Sequence, residues 1–280
     1  MNHLFKSLSE PMQQKQATFE EQQRKIIQVR EVLGDLPREM PSFVSDTTIR
    51  RFLKARNWST AQAGRCLKEA AKWRRQYQPE KIRWEDIVNS ENEAKRAYIP
   101  DYQDKLGRTV FVTLPAEKGA VSEKEQIKYL VYILEKLVQN LKDVPEDNVV
   151  WICDFHGWTI SSTPVSLTRE SLHIIQKYYP GMIAVAIVTN PPRIFESFWK
   201  IIKHFLEPKM KEKVKFVYKN NSDSQKVLAE MFDLDKLESK FGGRNTTEFD
   251  IVKYAERMKT LDQITGSRQH DSATTSSAIN

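Results

Sequence analysis

The sequence predicts an α/β fold, a mostly parallel sheet with flanking helices, preceded by a small all-α N-terminal unit. Three observations lead there. Short β-branched runs recur at Thr109 to Leu114, Val149 to Phe155, Ile183 to Thr189 and Val214 to Tyr218. Longer segments of helical period separate them, which is the pattern of strands joined by crossover helices. Before about Tyr77 no such run occurs, only apolar residues three and four apart.

Taken in order, residues 1–16 are polar and are expected to be flexible. Phe19, Ile26, Ile27, Val29, Val32 and Leu33 then mark a charged helix that Gly34 and Pro37 bring to an end. Asp46 is expected to cap a second helix carrying Ile49, Phe52 and Leu53, and Ser59 a third carrying Ala63, Cys66, Leu67, Ala70 and Trp73. These make a helical unit over 17–80, and an α/β domain follows over 81–250. Within that domain helices are expected at Glu123 to Leu141, Leu167 to Tyr178, Pro192 to Leu206 and Ser224 to Met231. A C-terminal helix is expected over 251–265, and the Ser-, Thr- and Ala-rich stretch 266–280 reads as a disordered tail.

Bulk properties narrow the class. With 280 residues, 40% of them hydrophobic, the chain can bury a substantial core. It has no run of eighteen apolar residues, and its start, MNHLFKSLSE, lacks the basic-then-apolar pattern of a secretory signal, so a cytoplasmic protein is expected. Cys66 and Cys153 lie far apart, without a CxxC pair or a Cys/His cluster, which points to reduced structural thiols and to no metal site. The net charge of +7 is unevenly spread: residues 1–83 hold 17 Lys/Arg against 9 Asp/Glu, the remainder 27 against 28. Seven lysines between Lys200 and Lys219, facing only Glu207 and Glu212, make a second basic region suited to an anionic surface.

The segment Pro192 to Leu206 is the most informative. Proline in the first turn presets a helix start. Ile194, Phe195, Phe198, Trp199, Ile201, Ile202, Phe205 and Leu206 then form a broad apolar face opposite Arg193, Glu196, Lys200, Lys203 and His204. Such a helix either packs on a sheet or lies at a bilayer interface with its lysines near anionic headgroups.

The common enzyme signatures are missing. There is no G-x-S-x-G elbow, no GxxxxGK loop and no HExxH pair. Alternation along an extended strand separates Cys153 from Asp154 and His156, so Asp154 and His156 read as a hydrogen-bonded strand end rather than a catalytic dyad. No enzyme activity is expected. Arg50, Arg51, Lys54 and Arg56 with Trp58 come without any nucleic-acid motif, and nucleic acid is not an expected partner.

Several motifs then fall into one order: RFLKARNWSTAQA with the later KWRRQY, DKLGRTVFV, WICDFHG, KYYPGMIAVAIVTNPP, FWKIIKHFLEP and KFGG. Together, from about Thr48 to Arg244, they resemble the CRAL-TRIO family of lipid-transfer proteins. The resemblance implies a sheet flooring an apolar lipid pocket, closed by a gate helix that opens at membranes. Pro192 to Leu206 matches the gate, with Phe195, Phe198, Trp199, Ile202 and Phe205 on its ligand side. Of five headgroup positions in phosphatidylinositol-binding members, Arg56 and Lys213 match and imply a phosphate site. Asn57, Gly181 and Met210 depart from the family residues, which leaves the lipid's identity open. Alternation then puts Val149, Trp151 and Cys153, Ala186 and Val188, and Val214 and Phe216 on the pocket wall. The resemblance implies a bound lipid and no cofactor. The expected partners are a phospholipid or other hydrophobic ligand, an anionic membrane surface and a lipid-modifying enzyme, with the chain a monomer that associates peripherally with membranes. Transfer of lipid and lipid-sensing recruitment of a partner are the two functional readings.

Overall fold

The Thr18 hydroxyl accepts the Glu21 amide at 3.2 Å and opens α1 (Phe19–Leu33), which Gly34 closes with a φ of 62°. The computed structural model describes residues 18–87, 89–115, 121–140, 149–218 and 221–277. The stretch 1–16 lies outside them. After α2 (Leu36–Glu39) comes α3 (Asp46–Ala55), whose cap is Ser45 and not Asp46. The Ser45 hydroxyl accepts the Thr48 amide at 3.2 Å, while Asp46 sits in the first turn and pairs with Arg30 at 2.6 Å. Ser59 caps α4 (Thr60–Tyr77) as its sequence context predicts. Ile26 and Val29, Phe52 and Leu53, and Leu67 and Ala70 interlock as a separate small core, against which Tyr178 also packs.

The second core forms around the sheet. α5 (Ser90–Arg96) leads into β1 (Ala97–Tyr98), a two-residue strand too short for alternation to reveal. Then follow β2 (Thr109–Thr113), α6 (Glu123–Asn140), β3 (Val149–Asp154), α7 (Val165–Tyr178) and β4 (Ile183–Thr189). α8 (Phe195–Ile202), α9 (Pro208–Glu212), β5 (Val214–Val217), α10 (Ser222–Met231) and α11 (Ile251–Ser277) complete the chain. The strands lie in the order β1-β2-β3-β4-β5, with β1 antiparallel and the rest parallel. Right-handed crossovers between sequential neighbours keep their helices on one face of a sheet. Accordingly α6 packs on α7 and α7 on α8. Among the described residues no helix is long and apolar enough to cross a membrane.

Two expected elements change length. The helix expected over Pro192 to Leu206 is regular only over Phe195–Ile202. Pro192 to Ile194 form a turn, and the backbone leaves the helix at Lys203 because Pro208 holds Glu207 extended, at φ −61° and ψ 150°. In the other direction, the backbone expected to be disordered from 266 onward is helical through Ser277, in a sequence that places no proline after Ile251 to stop it.

The helical unit and the sheet domain are joined by a buried polar clasp. Arg74 of α4 grips Glu135 of α6 through two bonds of 2.8 Å, and Tyr179 donates its hydroxyl to the same carboxylate at 2.6 Å. Trp73 stacks on Tyr178 with ring centres 4.2 Å apart. Gly181 completes the seam at φ 70°, where a Cβ would stand 2.9 Å from the Arg51 carbonyl oxygen.

Candidate functional site

Between the sheet and its crossover helices lies a cavity of about 200 Å³. Its floor follows from strand alternation and register. Phe111 and Thr113 of β2 pair with Trp151 and Cys153 of β3, these with Ala186 and Val188 of β4, and Ala186 with Val214 of β5. Trp151, Cys153, Ala186, Val188 and Val214 all line the cavity. The Trp151 indole donates to the Thr113 hydroxyl at 2.9 Å, satisfying the one polar atom of that ring. Burial in this apolar wall pushes the Cys153 thiol up to about 12, which leaves it protonated and unreactive at neutral pH.

The roof is α7 and α8. Leu167, Ser171, Leu172 and Ile175 present one face of α7 to the cavity at helical spacing, and Phe195, Phe198, Trp199 and Ile202 do so from α8. The aromatics are mutually packed. Phe155 and Phe195 stand 4.4 Å apart between ring centres, Trp158 and Phe198 4.8 Å, and Trp199 and Phe216 5.2 Å. The outer side of α8 is different, since Ile194 just before it and Ile201 within it are 50% and 49% exposed.

Three of the expected lining residues do not reach the cavity. Val149, at the start of β3, is fully buried in the packed core and does not line the cavity. Phe216 backs α8 through Phe195 and Trp199 instead of facing the space. Phe205 falls in the turn after α8, and Leu206 lines the cavity in its place. Sequence reading also passed over Phe111, Trp158 and the α7 face. The strand parity of Phe111 and the spacing of the α7 residues would have found them.

A second, polar cleft of about 200 Å³ adjoins at the N-terminal ends of the strands, sharing Ile175 and Met210 with the cavity. Lys54, Glu207, Lys209, Glu212 and Lys213 line it. Lys213 donates to the Ile183 carbonyl at 2.6 Å, and Lys209 to the Lys54 carbonyl at 2.6 Å. Arg56 reaches this cleft only through Glu207, with which it pairs at 3.1 Å while its Nε donates to Cys66 Sγ at 3.3 Å. The two expected headgroup residues are therefore not one preformed pair. Lys54 and Lys209 are the additions, and Gly181, held against Arg51, leaves no room for a side chain.

Asp154 and His156 form the expected strand end. Asp154 accepts the His156 amide at 3.1 Å and the Asn190 side chain at 3.0 Å, and the imidazole faces outward. Arg51 is buried, so the basic run around it is not a continuous surface patch. Among the described residues no group of three or more His, Cys, Asp and Glu is disposed to hold a metal.

Comparison with known proteins agrees with this geometry. The family model described as the CRAL/TRIO domain matches residues 92–243. A SEC14 cytosolic factor from Candida glabrata is 29% identical over 226 residues, 73% of this chain and 72% of that protein. Its counterpart from Kluyveromyces lactis is 28% identical, covering 80% of this chain and 79% of its own length. The phosphatidylinositol transfer protein PDR17 of Saccharomyces cerevisiae is 26% identical over 59% of this chain and 50% of its own. The crystal structure of Sfh5 superimposes with a TM-score of 0.65 at 15% identity, covering 85% of this chain and 92% of that one.

Proposed function

Because the chain belongs to the CRAL/TRIO domain family, we propose that it binds one lipid in the cavity and transfers it between membranes, with α8 as the gate. The observation that carries this reading is the apolar cavity between the floor at Trp151, Cys153, Ala186 and Val188 and the aromatic inner face of α8. The name of its relative PDR17, a phosphatidylinositol transfer protein, supports a phospholipid, as does the lysine cleft joined to the cavity at Met210, where Lys213 and Arg56 are the proposed phosphate contacts. For Arg56 to serve, a phosphate must displace Glu207.

The cavity's size and the two faces of α8 support the gating. A cavity of 200 Å³ is below the roughly 300–1,000 Å³ of pockets that enclose drug-sized ligands, so a phospholipid enters only if a wall moves. The helix that moves must exchange one apolar environment for another at similar free energy. α8 suits that exchange, with Phe195 and Phe198 inward and Ile194, Ile201, Lys200 and Lys203 on its rim. The protein would then act in the cytoplasm, as a monomer, and meet anionic membranes peripherally. Native mass spectrometry of the purified chain, with lipid extraction, tests this reading. A bound phospholipid is expected, and an empty chain that also takes up no fluorescent lipid would overturn it.

A lipid sensor that recruits a lipid-modifying enzyme is the second reading. It is favoured by the outer face of α1, where Phe19 and Ile27 are 72% and 57% exposed. Intervesicle transfer separates the two: rapid transfer identifies the carrier, and stable binding without transfer the sensor.

A further inference from the structure

Glu207 occupies the position that the lipid reading assigns to a phosphate. It stands at the start of α9, where Pro208 keeps its backbone extended. Its carboxylate Oε2 lies 3.1 Å from Nη1 of Arg56 at the end of α3, and a guanidinium takes a carboxylate or a phosphate oxygen in the same way. Glu207 also lines the lysine cleft, together with Lys54, Lys209 and Lys213. The Glu207 side chain is 44% exposed against 16% for that of Arg56, so the acid is reached from the cleft and, once released, returns to water.

Release costs little because the backbone is held separately. Gln176 of α7 accepts the Glu207 amide at 2.7 Å through Oε1, and its Nε2 donates to the Phe205 carbonyl at 2.9 Å and to the Leu172 carbonyl at 3.1 Å. One side-chain amide thus fixes the chain on both sides of Leu206, which lines the apolar cavity. Rotation of the Glu207 side chain alone vacates Arg56 and leaves that wall in place. An ion pair this exposed is worth no more than about a fivefold change in an equilibrium, so a ligand phosphate that also meets the cleft lysines outcompetes one carboxylate.

We propose that Glu207 is a specificity-determining residue, an internal stand-in for the ligand's phosphate. It holds Arg56 until a phosphate arrives, and every ligand that uses Arg56 must first displace it. A hydrophobic ligand without a phosphate leaves the Arg56–Glu207 pair intact. The carboxylate therefore sets how strongly a phosphate-bearing lipid is preferred over a neutral one with the same chains. This role rests on the lipid-binding reading and on Arg56 as a phosphate contact.

Uptake by the full chain of a pyrene-labelled phosphatidylinositol, and of a pyrene-labelled diacylglycerol with the same chains, tests this. Glu207→Gln keeps the side-chain shape and the backbone bond to Gln176, and removes the competing charge. It should raise affinity for the phosphatidylinositol by about fivefold and leave that for the diacylglycerol unchanged. A merely structural ion pair would shift both lipids alike. In an Arg56→Gln background the same change should give no gain, because the two residues act at one point. Titration with inorganic phosphate, followed by phosphorus NMR, identifies the source of the phosphate: a gain confined to the lipid makes it a headgroup, and an equal gain for inorganic phosphate makes it the free anion. Unchanged affinity for both phosphate sources in the folded Glu207→Gln, an equal gain for the diacylglycerol, or a gain that persists without Arg56 overturns the role of Glu207 and leaves the carrier reading standing. A chain that takes up neither labelled lipid overturns the two together.

Discussion

At the scale of single residues, the clasp between the helical unit and the sheet domain concentrates most risk in Glu135. Its carboxylate is buried and held by Arg74 and Tyr179, with the Arg74 guanidinium 4.9 Å above the Phe43 ring. Removing one partner of a buried pair leaves an uncompensated charge, so Arg74→Ala should lower unfolding free energy in urea by about 3–5 kcal/mol. The double change Arg74→Met with Glu135→Leu should recover most of that loss, and a single-variant loss well under this range would mean the clasp is not a buried pair in solution. Cys153 makes a second case. Its folded-state pKa is raised by burial from an unfolded value of about 8.5 to about 12. Burial likewise raises Tyr129, which lies beside Tyr254, and Tyr179, which lies beside the Glu135 carboxylate. Groups with raised folded pKa values contribute stability that is fully present below the unfolded pKa and is lost as pH rises through the folded one. The melting temperature should therefore hold at neutral pH and fall progressively above about pH 9. A melting temperature that stays flat to strongly alkaline pH would contradict the burial of these groups.

At the scale of elements, α8 is where regular structure, packing and proposed motion meet. Its eight residues span about 12 Å, enough for two turns and four inward side chains. Because Ile194 and Ile201 are half exposed, replacing both with Glu should change folding stability by no more than about 0.5 kcal/mol each. Binding to vesicles containing anionic phospholipid should nevertheless fall by about tenfold or more, because apolar contact is replaced by repulsive charge. Undiminished vesicle binding in the folded variant would remove α8 as the membrane-facing element. The strands show the limits of alternation: Trp151 and Cys153 were legible as wall residues from parity alone, whereas Val149 has the same parity but lies fully buried at the strand's start, beyond the cavity.

At the scale of the whole molecule, charge and architecture divide the work. The N-terminal third, with 17 basic against 9 acidic residues, and the lysines from Lys200 to Lys219 make two basic regions in an otherwise balanced chain. Exposed charges act only within a Debye length, roughly 8 Å at physiological ionic strength. Liposome sedimentation should accordingly weaken as salt is raised from low to about molar concentration, and salt-independent binding would make those lysines incidental. The sheet domain needs the helical unit beside it: Arg51 and Gly181 touch too closely across the seam for any side chain at Gly181. Loss of affinity on changing Gly181 would therefore reflect the seam before the ligand.

The sequence by itself determined the class of fold, the order of its principal elements, the apolar floor and the aromatic inner face of α8. Those follow from periodicity, which is a local property of β-branched runs and helical spacing. Only the tertiary structure decided where α8 stops, that Val149, Phe205 and Phe216 miss the cavity, and that Arg56 reaches the lysine cleft through Glu207. Such pairings depend on register, crossover geometry and side-chain reach between distant segments, and no local pattern encodes them.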